Sequence, residues 1–256
     1  MKILITGHSR GLGAAITRQL LKDGHSVLGL SRGALSHPED KTSGALVQQS
    51  LDLSNPGDVR RFLDSKTLHQ FFQNASHAVL INNAGLLQPI GQAGTLNAAA
   101  IFDAVTTNLA SVVALTDSFI RATQSVSDRR IVQLSSGAAR SPYAGWSVYC
   151  ATKAGLDHYT RCVALEIESN AEVETESRAS LRGLRIESLA PGIIDTDMQA
   201  EVRATSLSQF PMRPKFDQLK AAGALAHPDV VAKQLLTHVM SDRFGRQQLT
   251  DLRQSS

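Results

Sequence analysis

Short apolar runs rich in Val, Ile and Leu recur along the chain, and longer segments whose apolar positions return every three to four residues fill most of the gaps between them. Strand-length runs fall near 2–6, 26–31, 45–50, 78–82, 130–135, 184–190 and 246–250. Helical periodicity occupies 11–23, 55–64, 97–124, 147–168 and 228–241, and Ser54 followed by Pro56 marks the start of the second helix. This alternation predicts an α/β fold, a doubly wound (Rossmann-type) parallel sheet of about seven strands with helices on both faces. Two stretches break it. Residues 169–182, rich in Glu, Ser and Arg, read as a surface loop without an assignable role. Residues 193–227, punctuated by Pro211, Pro214 and Gly223, read as irregular chain long enough to form a substrate lid.

A length of 256 residues suits one doubly wound domain spanning 1–256. Hydrophobic residues make up 42% of the chain, enough for a core, and the net charge of +3 is scattered, which argues against a nucleic-acid partner. Cys150 and Cys162 lie twelve positions apart in one helix, about 18 Å of rise, and are not expected to pair. Met1 leads straight into a strand pattern and no apolar run of spanning length is evident, so neither a leader nor a membrane segment is expected, and a cytoplasmic location fits. No metal site is expected.

Two local patterns carry chemistry. Thr6-Gly7-His8-Ser9-Arg10-Gly11-Leu12-Gly13 follows the first strand and opens the first helix. Closely spaced glycines there let backbone N–H groups approach a phosphate, and the helix dipole favours its charge. The spacing is not G-x-G-x-x-G, and a turn that merely tolerates glycine is the alternative. Tyr149-Cys150-Ala151-Thr152-Lys153 then sets a phenol and an ammonium four residues apart on one helix face. A phenol of pKa about 10 needs a nearby cation to work near neutrality. An ammonium ~4 Å away supplies up to ~4 kcal/mol at an effective dielectric of about 20, roughly three pKa units, so Lys153 is expected to depress Tyr149. An exposed helical pair is the alternative.

These patterns belong to an ordered set. Asn82-Asn83-Ala84-Gly85 follows the fourth strand, Asn108 lies in a long helix, Ser135-Ser136-Gly137 precedes the tyrosine, and Pro191-Gly192 closes the sixth strand. In this order, over nearly the whole chain, the sequence resembles the short-chain dehydrogenase/reductase family. The resemblance implies that Ser136 hydrogen-bonds a substrate carbonyl, that Tyr149 donates a proton, and that Lys153 activates it and holds the nicotinamide ribose. It also implies that Asn108 anchors a water behind Lys153. Read alone, Ser136 is equally a strand-end cap and Asn108 a satisfied polar helix residue.

An NADPH/NADP site is implied along Gly7, Ser9, Arg10, Gly11, Leu12 and Gly13, then Ser31 and Arg32, Asp52 and Leu53. It continues over Asn83, Ala84 and Gly85 to Tyr149, Lys153, Pro191, Gly192, Ile194 and Thr196. Asp52 would accept from the adenine amino group, or serve only as a turn residue. The adenosine 2′-phosphate would meet Arg10, Arg32 and the Ser31 hydroxyl, since no Asp or Glu lies between Val27 and Leu35. Two solvated surface arginines are the alternative reading.

Within the family, Gly145-Trp146-Ser147-Val148-Tyr149-Cys150-Ala151 and the run from Pro191 to Gln199 are similar to sepiapterin reductases and bacterial benzil reductases. This implies an NADPH-dependent carbonyl reductase for a vicinal dicarbonyl or pterin-like ketone, acting as a homodimer or homotetramer. Candidate substrate contacts are Ser136, Tyr149, Trp146, Met198 and Asp251, with Trp146 stacking on substrate or simply packing. An NAD-linked alcohol dehydrogenase and a non-catalytic NADP-binding sensor are the rivals. Ser31-Arg32, where an NAD enzyme would place an acid, opposes the first, and the complete set Asn108, Ser136, Tyr149 and Lys153 opposes the second.

Overall fold

The seven apolar runs all enter one parallel sheet. In the computed structural model, which describes residues 1–36, 44–170 and 180–254, the strands are β1 (Lys2–Thr6), β2 (Ser26–Ser31), β3 (Ala45–Ser50), β4 (His77–Asn82), β5 (Asp128–Leu134), β6 (Leu184–Ala190) and β7 (Leu249–Asp251). Their spatial order is β3-β2-β1-β4-β5-β6-β7. The order reverses between β1 and β4, and in open α/β sheets the crevice beyond the strand ends at such a switch point receives ligands.

The helices are α1 (Gly11–Lys22), α2 (Pro56–Asp64), α3 (Thr67–Phe72), α4 (Ala98–Val105), α5 (Ser111–Ala122), α6 (Ser147–Asn170), α7 (Asp197–Ala204), α8 (Arg213–Ala221) and α9 (Pro228–Met240). Alternation along β1 explains the layering: Ile3 and Ile5 face α1 and α9, whereas Leu4 faces the layer of α2, α3, α5 and α6. The predicted helix 97–124 is α4 and α5 joined by a π-helical turn, Thr106–Ala110, with Asn108 at its centre. By length and composition Ala98–Ala122 passes as a membrane span, against the expectation of none. Its buried Leu115 and Phe119 pack into the sheet core, which accounts for part of that apolarity.

Four expectations need correction. The N-cap of α2 is Asn55, whose side chain accepts from Gly57 and Asp58 N–H groups, while Ser54 turns back to Asp52. The stretch 193–227 is not irregular, because it holds α7 and α8; Pro214 stands in the first turn of α8, where a missing N–H costs nothing. The last strand starts at Leu249 rather than 246, because Gly245 (φ +81°) donates its N–H to the buried Glu187 carboxylate on β6 at 2.9 Å and keeps the chain in a turn. Helix α3 has no counterpart among the sequence expectations. The expected loop at 169–182 lies mostly outside the described residues, and α6 continues to Asn170 at its near edge.

Candidate active site

A cleft of about 710 Å³ runs across the C-terminal ends of β1, β2, β4, β5 and β6. Its size lies within the range of small-molecule and cofactor sites. Every residue that the sequence singled out lines it except Asn108 and Asp251.

At one end the glycine turn feeds α1. A Cβ on Gly13 would stand 2.0 Å from the Gly7 carbonyl oxygen, so only glycine lets the helix start this close to the strand. No side chain caps α1 and its first turn holds no acid, which leaves the leading N–H groups and the dipole facing the cleft. These donors fit a pyrophosphate. Arg10 and Arg32 are exposed on the rim, with Arg10 3.9 Å from Asp197. The Asp52 carboxyl is pushed up by burial but held below its ordinary range overall by the Ser54 N–H and hydroxyl.

Sequence reasoning missed His8 beneath this end. It is fully buried, 2.7 Å from Gln48 Oε1 and 3.1 Å from Ser31 Oγ, and a Cβ on Gly29 would stand 2.5 Å from its ring. A bulky residue inside the glycine turn, matched by a glycine in the neighbouring strand, was the available signal. Ser31 Oγ donates to the Gly33 carbonyl at 2.5 Å, so the hydroxyl that was expected to meet a phosphate is engaged by the protein.

At the other end α6 delivers Tyr149 and Lys153 from successive turns, both more than nine-tenths buried. Burial raises the Tyr149 pKa, opposed by a hydrogen bond with Ser136 and aided by Cys150. The expected depression by Lys153 is not found. The Lys153 ammonium sits 5.8 Å from the phenol ring centroid and donates to the Leu134 carbonyl at 2.6 Å. Burial lowers its pKa to about 8, against the pull of Asp157. Asn108 stands behind the pair: its Oδ1 accepts from Leu86 N–H at 2.7 Å, and its Nδ2 donates to Leu86 O at 2.8 Å and Thr152 Oγ1 at 3.2 Å. The π-helical turn thereby pins the loop after β4 against α6.

Trp146 lines the cleft and also packs, one ring face stacked on Phe210 at 4.5 Å and its ring T-shaped to Tyr149 at 5.7 Å, so it belongs to both the wall and the core beneath it. Phe210, Phe216, Val202 and Met198 from the 193–227 region cluster with Trp146, Tyr149 and Leu87. Asp251 is not among the residues lining the cleft and accepts from Arg253, which does line it and which the sequence reading did not single out.

Comparison with known proteins agrees with this geometry. The family model described as short chain dehydrogenase matches residues 1–207. A benzil reductase ((S)-benzoin forming) of Bacillus cereus is 34% identical over 94% of this chain and 95% of its own. The sepiapterin reductase of Mus musculus is 31% identical over 94% and 92%. The crystal structure of a short-chain dehydrogenase/reductase from Burkholderia vietnamiensis superposes with a TM-score of 0.67 at 34% identity, covering 100% of this chain and 98% of that one.

Proposed function

Because this chain belongs to the short-chain dehydrogenase family, we propose that it is an NADPH-dependent carbonyl reductase whose substrate is a ketone neighbouring a second carbonyl. The observation that carries the reading is a phenol kept protonated by burial, hydrogen-bonded to Ser136 in the same cleft that the uncapped end of α1 faces. Burial leaves the phenol in the protonated form that the reductive direction requires, and its weakened acidity is what a cation such as the Lys153 ammonium beside it has to offset. The benzil and sepiapterin reductase relatives point to the substrate class.

A nicotinamide dinucleotide held at the glycine turn Gly7–Gly13 and by Lys153 would supply the hydride for the carbonyl carbon. Ser136 donates a hydrogen bond to the carbonyl oxygen, whose charge grows as the bond order falls. The Tyr149 hydroxyl gives that oxygen its proton and becomes a phenolate, leaving the product as an alcohol. Lys153, protonated below about pH 8 and held by Leu134, stabilises the phenolate and would hold the nicotinamide ribose. Asn108 keeps Lys153 in register by joining the loop at Leu86 to Thr152 on α6. The segment from α7 to α8 forms the apolar lid that excludes water from the reacting carbonyl. Arg10 and Arg32 select the 2′-phosphate, since no carboxylate follows β2 to accept from a bare ribose.

The test is cofactor oxidation by purified enzyme with diketones, isatins, quinones and pterins, run with NADPH and NADH in parallel. The expected result is turnover of vicinal dicarbonyls with strong preference for NADPH. Equal efficiency with NADH, or no turnover of any ketone, refutes the reading.

A further inference from the structure

Arg253 and Lys215 are cations of the cleft wall that no sequence motif announces, and of the two Arg253 is the one held by a carboxylate. Its Cδ stands 3.3 Å from where a Cβ on Gly192 would be, which sets the side chain against the loop after β6. Tyr143, packed at 5.2 Å against Trp146, lines the same cleft as Arg253. Gly192, Trp146, Tyr149 and Arg253 share this one cleft, and Trp146 meets the Tyr149 ring at 5.7 Å. Asp251 fixes the direction of the guanidinium: Oδ1 accepts from Nε at 2.9 Å and from the Arg253 backbone N–H at 3.0 Å, and Oδ2 accepts from Nη2 at 2.5 Å. Nη1 has no hydrogen-bond partner among the described residues.

We propose that Arg253 determines substrate specificity by donating from Nη1 to the second carbonyl oxygen of a vicinal dicarbonyl, while Tyr149 and Ser136 engage the first. The inference rests on the carbonyl-reductase reading above. A neutral oxygen is the partner because Asp251 already balances the guanidinium charge, and because the adjoining wall of Trp146, Phe216, Met198 and Leu87 suits an apolar or aryl body. A fork whose geometry is set by a carboxylate loses little side-chain freedom when it takes up a third acceptor, which favours discrimination over raw affinity.

The experiment compares benzil with deoxybenzoin, which lacks the second carbonyl, in wild type, Arg253→Met and Arg253→Lys, with the Kd for NADPH measured on each. Arg253→Met should reduce kcat/KM for benzil by about 10- to 100-fold, the span of a lost charged hydrogen bond, and that for deoxybenzoin by less than about 2-fold. NADPH affinity should not change, and Arg253→Lys should recover part of the benzil rate. An equal fall for both ketones, or no fall for either, overturns the proposal. Phenylglyoxylate as a third substrate separates charge from hydrogen bonding: a larger loss there than with benzil makes the site an anion site and overturns the neutral-acceptor assignment. A wild-type enzyme that oxidises NADPH with none of these ketones instead refutes the carbonyl-reductase reading and the proposal with it.

Discussion

Replacing Asp157 by Asn should lower the pH at which Lys153 loses its proton, and the structure sets the size of the effect. Burial has already drawn the Lys153 pKa down to about 8, and Asp157, one helical turn further along α6, opposes that fall. Side chains four residues apart on a helix stand about 6 Å from one another, and at an effective dielectric of about 20 opposite charges there attract by ~3 kcal/mol, about two pKa units. Arg140, whose Nε lies 3.4 Å from the Asp157 carboxylate, offsets part of this attraction. The expected shift is therefore about one unit downward. Asn retains the shape and an oxygen to accept from Ser188, which now donates to Asp157 at 2.6 Å, so the substitution removes charge more than packing. In the proposed mechanism the ammonium is the form that would hold ribose and phenolate, so function should be present below the Lys153 pKa and lost as pH rises through it. NADPH binding should weaken above about pH 8 in the wild type and above about pH 7 in Asp157→Asn. The chain's single tryptophan, Trp146, lines the cleft, so its fluorescence can report Kd across the range. Lys153→Met lacks the titrating amine and should be flat over the same window. A midpoint that stays in place in Asp157→Asn, or moves upward, refutes the reasoning.

Tyr149→Phe removes the proton donor without touching the phosphate end, so turnover should fall by at least ~100-fold while the Kd for NADPH stays within about 2-fold; more than about a tenth of wild-type rate would exclude the role. Gly13→Ala would set a methyl 2.0 Å from the Gly7 carbonyl oxygen, and the resulting shift of α1 should cost ~1 to 3 kcal/mol of stability and weaken NADPH more than about tenfold. Urea denaturation with an unchanged m-value and calorimetric titration would check both, and an unperturbed midpoint would mean that the turn yields more easily than its contacts indicate.

Where local pattern decides structure, the sequence was readable. Strands β1, β2, β3 and β6 were bounded to the residue, because apolar runs between polar turns define them without reference to the rest of the chain. The tight glycine turn into α1 and the placing of Tyr149 and Lys153 on successive turns of α6 were legible as structure for the same reason, since each depends on a few neighbouring residues. Helices α7 and α8 were not, because Pro211 between them and Pro214 in α8 resemble loop punctuation and their burial depends on Trp146 and Leu87, far away in sequence. The C-terminal edge failed similarly. Asp251 looked like a substrate carboxylate, but the Arg253 side chain two residues on takes it, and the guanidinium reaches the wall instead. The direction of the Tyr149 shift was misjudged because a helical-spacing argument counts the ammonium and omits the burial that outweighs it.

The same distinction between local and long-range contact decides which groups select the cofactor. From sequence, Ser31, Arg10 and Arg32 are equivalent candidates for the 2′-phosphate. In the structure the Ser31 hydroxyl spends its one proton on Gly33 O, and its oxygen faces the buried His8, which Gln48 holds from the far side. A committed hydroxyl offers a phosphate little, whereas Arg10 and Arg32 keep exposed guanidinium groups. Preference for NADPH should then reside in the arginines alone. Arg32→Ala should weaken NADPH by ~1 kcal/mol, about fivefold, with the discount that an exposed, salt-screened contact requires, and leave NADH unchanged. Ser31→Ala should change NADPH affinity by less than about 2-fold, since the hydroxyl contributes its bond to the protein and not to the ligand. Titrations at two ionic strengths separate the cases: the Arg32 effect shrinks as salt rises, and a Ser31 effect, if one appeared, would not. A Ser31→Ala loss as large as that of Arg32→Ala would show that the serine proton is free for the phosphate after all, and the division of roles drawn from His8 and Gly33 would fall.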